Sequence, residues 1–202
     1  MTKFLIAGCC LLASVWAQAD PTDDLIAALD RISNLQGSFE QVQYDESGTL
    51  VAESAGTFKL SRPGYFEWDI TSPGSQLIVA TPEFIWQHDR DLETVTRRPV
   101  VDSEQMSPLQ VLGGNDALLR SQFSVSRTAE STYALHPQGI NPGFIRLLVT
   151  FAEDGGFAGL EINDNLNQRV VIVFSDLNRS SPLGPEDFDF TPPADADQFF
   201  YD

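Results

Sequence analysis

From Gly37 onward the apolar side chains of this sequence recur at every second position. Turn residues interrupt that alternation again and again. Phe58 and Leu60 alternate with Thr57 and Lys59; Phe66, Trp68 and Ile70 alternate with Tyr65, Glu67 and Asp69. Phe84, Trp86 and His88 alternate with Ile85, Gln87 and Asp89. Glu46-Ser47-Gly48, Arg62-Pro63-Gly64, Ser72-Pro73-Gly74 and Thr81-Pro82 separate the runs. A period of two broken by tight turns specifies strands paired antiparallel to their sequence neighbours. The pattern resumes with Phe123 and Val125, Tyr133 and Leu135, and then Ile145, Leu147, Val149 and Phe151. Glu153-Asp154-Gly155-Gly156 turns the chain toward Leu160 and Ile162; Val170, Ile172 and Phe174 form the last long strand, and residues 182–193 read as an extended tail. The reading gives about eleven strands and about three short helices, with no repeat and no linker, hence one mainly β (α+β) domain.

The helices are marked by a different spacing. Pro21-Thr22-Asp23-Asp24 is a helix start, with Thr22 as cap and two acids at the positive helix end. Leu25, Ile26, Leu29, Ile32 and Leu35 then follow as one helical stripe. Ser107-Pro108 opens a second helix through Leu109, Val111 and Leu112 to Gly113-Gly114, and Asn115-Asp116 caps a turn through Leu118, Leu119 and Arg120. A long meander must close or be covered, because bare edges and a bare apolar face aggregate. The expected architecture is therefore an incomplete antiparallel barrel whose apolar side is closed by a lid of these helices.

Met1-Thr2-Lys3 precedes an apolar run from Phe4 to Trp16 that ends in Ala17-Gln18-Ala19. The run is too short to span a bilayer of ~30 Å, and the small-x-small ending is that of a cleaved secretory signal. Residues 1–19 are then a signal peptide and 20–202 the exported domain. Ile6-Ala7-Gly8-Cys9 also resembles a lipobox, which would put a lipid on Cys9. Cleavage after Ala19 removes both cysteines of the chain, so the mature domain has no disulfide, thiolate metal site or cysteine chemistry. The chain carries 12 Lys and Arg against 29 Asp and Glu, a formal charge of −17. That balance opposes binding to nucleic acid or to an anionic membrane surface, and favours a polar or basic partner.

Catalytic chemistry is sparse. His88 and His136 are the only histidines, and neither has a metal-ligand spacing. His88 with Asp89 and Asp91 is the one arrangement that a hydrolase could use, a base beside an orienting carboxylate.

Gly37-Ser38-Phe39-Glu40-Gln41 and Arg62-Pro63-Gly64-Tyr65-Phe66-Glu67-Trp68 resemble the periplasmic outer-membrane lipoprotein carrier family, LolA. The likeness continues, in order, through Leu77-Ile78-Val79, the Trp86 strand, Asp91 to Thr96, Ser107 to Leu112, Leu135-His136-Pro137, Asn167-Gln168 and Phe188 to Pro193. His88 and Arg90 depart from it, standing where the family tends to have an aromatic residue and a proline. The resemblance implies a monomeric shuttle without cofactor or metal. Such a shuttle takes acylated lipoproteins from the inner-membrane LolCDE ATP-binding-cassette exporter and hands them to the outer-membrane receptor LolB, with the acyl chains held in a hydrophobic cavity. The candidate cavity residues are Phe58, Leu60, Phe66, Trp68, Ile70, Trp86, Ile145, Leu147 and Phe151; the candidate lid residues are Leu29, Ile32, Val111 and Leu112. Arg62, at a strand end, offers five donors and a permanent charge. The resemblance implies that it latches the lid through carbonyls around Leu29, Leu112 and Gly113. An anchored receptor or another periplasmic lipid-binding domain of the same fold are the alternatives, with a His88 hydrolase a third.

Overall fold

The computed structural model describes residues 20–100, 108–113, 116–139 and 143–201. The expected signal segment, Ser107 and Asn115 lie outside these. One twelve-stranded sheet organises the molecule. A first antiparallel run comprises β1 (Asn34–Tyr44), β2 (Leu50–Ser61), β3 (Tyr65–Ser72), β4 (Gln76–Ala80), β5 (Phe84–Asp89) and β6 (Thr94–Pro99). A second comprises β7 (Phe123–Ala129), β8 (Thr132–Pro137), β9 (Arg146–Phe151), β10 (Phe157–Asn163) and β11 (Arg169–Asn178). The runs join where β1 pairs with β11, so β6 and β7 fall near opposite ends of the sheet. The strand order ends on β12 and β7, which do not pair with each other: the sheet is open.

This topology explains the lid. The chain leaves β6 near one end of the sheet and must reach β7 at the other, and it makes the crossing as α2 (Pro108–Gly113) and α3 (Asp116–Gln122). α2 meets β2 and β3, and α3 meets β7. α1 (Pro21–Leu29) lies beside α3 and β7. Crossing a face in water would leave apolar strand residues wet, so the connection buries its own apolar side there. Leu25, Leu29, Ile32, Leu112 and Leu119 join Leu35, Phe39, Leu60, Phe66 and Trp68 in one core.

Two local readings are corrected. The helical stripe does not run to Leu35: α1 ends at Leu29 with Asp30 as its C-cap, Ile32 turns back through an N–H to the Leu29 carbonyl (2.9 Å), and Leu35 sits on β1 opposite Leu60. Pairing with β2 gives Leu35 both a backbone partner and a buried neighbour, which outweighs continuing a short helix. The N-cap is Asp20, not Thr22: its carboxylate accepts from the Thr22 N–H at 2.9 Å. The tail also has more structure than expected. After a 3-10 turn at Pro185–Phe188 it ends in β12 (Asp197–Phe200), parallel to β6, the one strand of the twelve that is not antiparallel. Among the described residues no helix is long and apolar enough to cross a membrane.

Candidate functional site

The helix-covered face carries a continuous band of rings. Phe66 lies 5.9 Å from Trp68, and Trp68 stacks on Phe39 at 3.5 Å and 18°. Trp68 and Phe58 are 6.2 Å apart, Phe58 and Phe174 4.9 Å, Phe174 and Phe157 5.9 Å. Phe151 continues the band at 5.5 Å from Phe157, and Tyr133 meets Phe151 edge-on at 5.9 Å. Strands β3, β2, β11, β10, β9 and β8 are thus spanned, with β1 contributing Phe39. Period-two placement makes this possible, because directly paired residues such as Phe58 and Trp68, or Leu60 and Phe66, share a face.

Of the expected cavity residues, Phe58, Leu60, Phe66, Trp68, Leu147 and Phe151 are buried in this core, and Ile70 packs against it partly buried. The four lid residues Leu29, Ile32, Val111 and Leu112 are buried with them, at 1% exposure or less. Two assignments fail. Trp86 is on the opposite face: it pairs with Val79, while its neighbour Ile85 pairs with Ala80 and packs on the core. There Trp86 is covered by the tail, 5.4 Å from Phe190 and 6.1 Å from Phe200. Ile145 is 44% exposed: it precedes β9, and its neighbour Phe144, 1% exposed and 6.1 Å from Phe123, turns inward in its place. The rings of the band missed are Phe39, Phe174, Phe157 and Tyr133. The Val170, Ile172, Phe174 alternation already contained the signal for Phe174, since it matches the parity of a buried face.

All three lid helices meet the turn between β2 and β3. The Arg62 backbone N–H donates to the Ser33 carbonyl at 2.8 Å, just past α1. The Gly64 N–H donates at 2.6 Å to the Gly113 carbonyl, the end of α2; Gly64 has φ +90°, which its lack of a side chain permits. The Arg62 side chain is only 8% exposed, and its guanidinium lies 3.8 Å from Asp30 Oδ1 at the end of α1 and 3.5 Å from Asp116 Oδ1 at the start of α3. These carboxylates are partners that the sequence reading does not include, and the Gly113 carbonyl accepts from the Gly64 N–H. Burial pulls the Arg62 guanidinium below its ordinary value, while Asp30 and Asp116 oppose the shift.

His88 lies on the outer face, 5.8 Å from the Phe190 ring. Its proposed orienting acids serve turn amides: Asp89 accepts from the Leu92 N–H and Asp91 from the Ser75 N–H, both at 2.9 Å.

The family described as "Outer membrane lipoprotein carrier protein LolA" matches residues 30–191. An outer-membrane lipoprotein carrier protein of Alcanivorax borkumensis is 36% identical over 93% of this chain and 91% of its own. One from Methylococcus capsulatus is 36% identical over 91% and 89%. Among solved structures, a putative outer membrane lipoprotein-sorting protein domain from Vibrio parahaemolyticus is similar in fold, with a TM-score of 0.55 and 10% identity over 84% of this chain and 94% of that one. A LolA superfamily protein from Nitrosomonas europaea gives a TM-score of 0.51 at 10% identity over 84% and 97%. The match over most of the domain, with relatives above 30% identity along nearly its whole length, establishes that the chain belongs to the LolA family of outer-membrane lipoprotein carriers.

Proposed function

We propose that this protein carries acylated lipoproteins across the periplasm, receiving them from the inner-membrane LolCDE exporter and delivering them to the receptor LolB. The observation that supports it is the pairing of a broad aromatic and aliphatic face with three short helices gathered at one polar turn. A free acyl chain in water costs ~0.8 kcal/mol per methylene, so about fifteen methylenes cost on the order of 12 kcal/mol. An apolar face under a movable cover removes that cost without a membrane. Residues 1–19 direct export and are removed after Ala19; Asp20, which caps α1, is then the first residue.

Cargo entry displaces Leu29, Ile32, Val111 and Leu112 from the rings below. Phe58, Leu60, Phe66, Trp68, Leu147 and Phe151 then contact the acyl chains in place of the lid. Arg62 is the latch. Parting its nearly buried guanidinium from Asp30 and Asp116 leaves a charge uncompensated, so opening the lid draws on part of the acyl binding energy, and reclosure favours release.

The test places a photo-crosslinking amino acid at Phe66 and offers an acylated lipoprotein peptide beside its deacylated form. Only the acylated peptide should crosslink, and Arg62→Leu should crosslink as well as wild type yet transfer little cargo to the receptor. Equal crosslinking of both peptides removes acyl binding; wild-type transfer by Arg62→Leu removes the latch. Intact mass of the exported protein distinguishes the anchored receptor, which would carry a diacylglycerol on Cys9.

A further inference from the structure

The charged partners of Arg62 do not stand alone on the lid. Asp23 and Asp30 lie two turns apart along one face of α1 and its cap, and Asp116 and Arg120 lie one turn apart on α3. Arg120 Nη1 is 2.6 Å from Asp23 Oδ1. Asp116 also acts on Arg120 through space, and the Asp23 hydrogen bond raises the Arg120 pKa above its ordinary value. The ion pairs Asp30–Arg62–Asp116 and Arg120–Asp23 are linked by the through-space attraction of Asp116 for Arg120, and α1 runs from Asp23 back to Asp30.

We infer that Asp23, Asp30, Asp116 and Arg120 form with Arg62 an ionic clasp that ties α1 to α3, with Asp30 and Asp116 positioning the Arg62 latch. The inference rests on reading these helices as the lid of a carrier. Its two ends behave differently. Arg62 is nearly buried, and a buried charge is tolerable only while paired. Moving α1 away withdraws Asp30, and moving α3 withdraws Asp116, so the lid resists partial opening. Asp23 and Arg120 are 57% and 51% exposed, so their attraction is screened by salt. At the inner end only the cation is buried, Asp30 and Asp116 being 58% and 47% exposed, so salt weakens the outer pair most while loss of a carboxylate at the inner end strands the Arg62 charge.

Amide hydrogen exchange of the cargo-free mature protein tests the clasp. Because no lipoprotein is present, the outcome is independent of the carrier reading. In Asp30→Asn/Asp116→Asn, exchange at Leu25 to Leu29 should quicken on the order of ten-fold while Leu35 and Phe39 on β1 keep wild-type protection. Unchanged lid exchange, or an equal rise throughout the sheet, overturns the proposal. Should that variant fail to fold, the exposed pair decides. Asp23→Asn and Arg120→Gln should each speed lid exchange, the double variant should be no faster than either single, and 1 M NaCl should bring wild type to the same rate. Additive effects, or a wild-type lid indifferent to salt, would falsify the clasp.

Discussion

Phe39 and Trp68 lie face to face at the centre of the core, and their stack shows how much one residue decides here. Phe39 is 1% exposed, so Phe39→Ala removes a ring that nothing nearby can replace. The loss should be about 3–5 kcal/mol, measured by urea unfolding, with a changed Trp68 emission as the local sign. Parity alone could not sort residues of this kind everywhere. Ile145 and Leu147 have the same parity, yet the first is exposed and the second fully buried, because the alternation slips just before β9 and Phe144, at 1% exposure, takes the inward place. Phe84, Ile85 and Trp86 are apolar on both parities, so either face was a legible choice. The register that sets Ile85 against Ala80 and Trp86 against Val79 made the decision.

At the scale of the element, β12 shows what a short strand gains from side chains. Its four residues are all exposed; they pair with Thr94 to Arg97 of β6, and the Asp197 N–H to Glu93 and Tyr201 N–H to Arg97 bonds bracket the ladder. Phe200 adds to that hold: the Arg97 guanidinium sits over its ring at 4.7 Å while also lying 4.5 Å from Phe84. Phe200→Ala should cost about 1–2 kcal/mol by loss of this contact and its apolar area. It should also shift Trp86 emission to the red, read against a Trp68→Phe background; an unshifted spectrum would mean that Phe190 alone shields Trp86. β12 was invisible in the sequence because Asp197-Gln198-Phe199-Phe200 is short and lacks the period-two alternation, although the Pro193 to Ala196 turn precedes it. It is a strand only because β6 is there to receive it.

The whole molecule depends on acidic side chains that serve backbone turns. Asp20 caps α1, Asp45 accepts from Ser47 and Thr49 in the β1–β2 turn, and Asp154 accepts from Gly156 in the β9–β10 turn. Hydrogen bonding holds all three below the usual carboxylate value of 3.8. Since their folded values are depressed, the stability they contribute is complete above pH 3.8 and is lost as pH falls through those lowered values. Urea midpoints should therefore be flat on this account through neutral pH and fall in the acid limb. Asp45→Asn should flatten that limb; an unchanged limb would assign acid loss to other groups.

The strands other than β12, their turns, the existence of three short helices and the apolar identity of one face were determined by the sequence itself. Period, glycine, proline and capping chemistry act within a few residues, and no distant partner is needed to read them. Tertiary structure decided where those elements meet. That α1 stops before Leu35, that Trp86 faces the tail, and that Asp30 and Asp116 converge on Arg62 all follow from pairing and crossing over long stretches of chain. The carboxylates beside Arg62 come from two helices on either side of six strands in sequence order, and an aspartate at a helix end looks the same in sequence whether it faces water or a buried arginine. Local rules choose the elements; which charge is left inside depends on what the fold places over it.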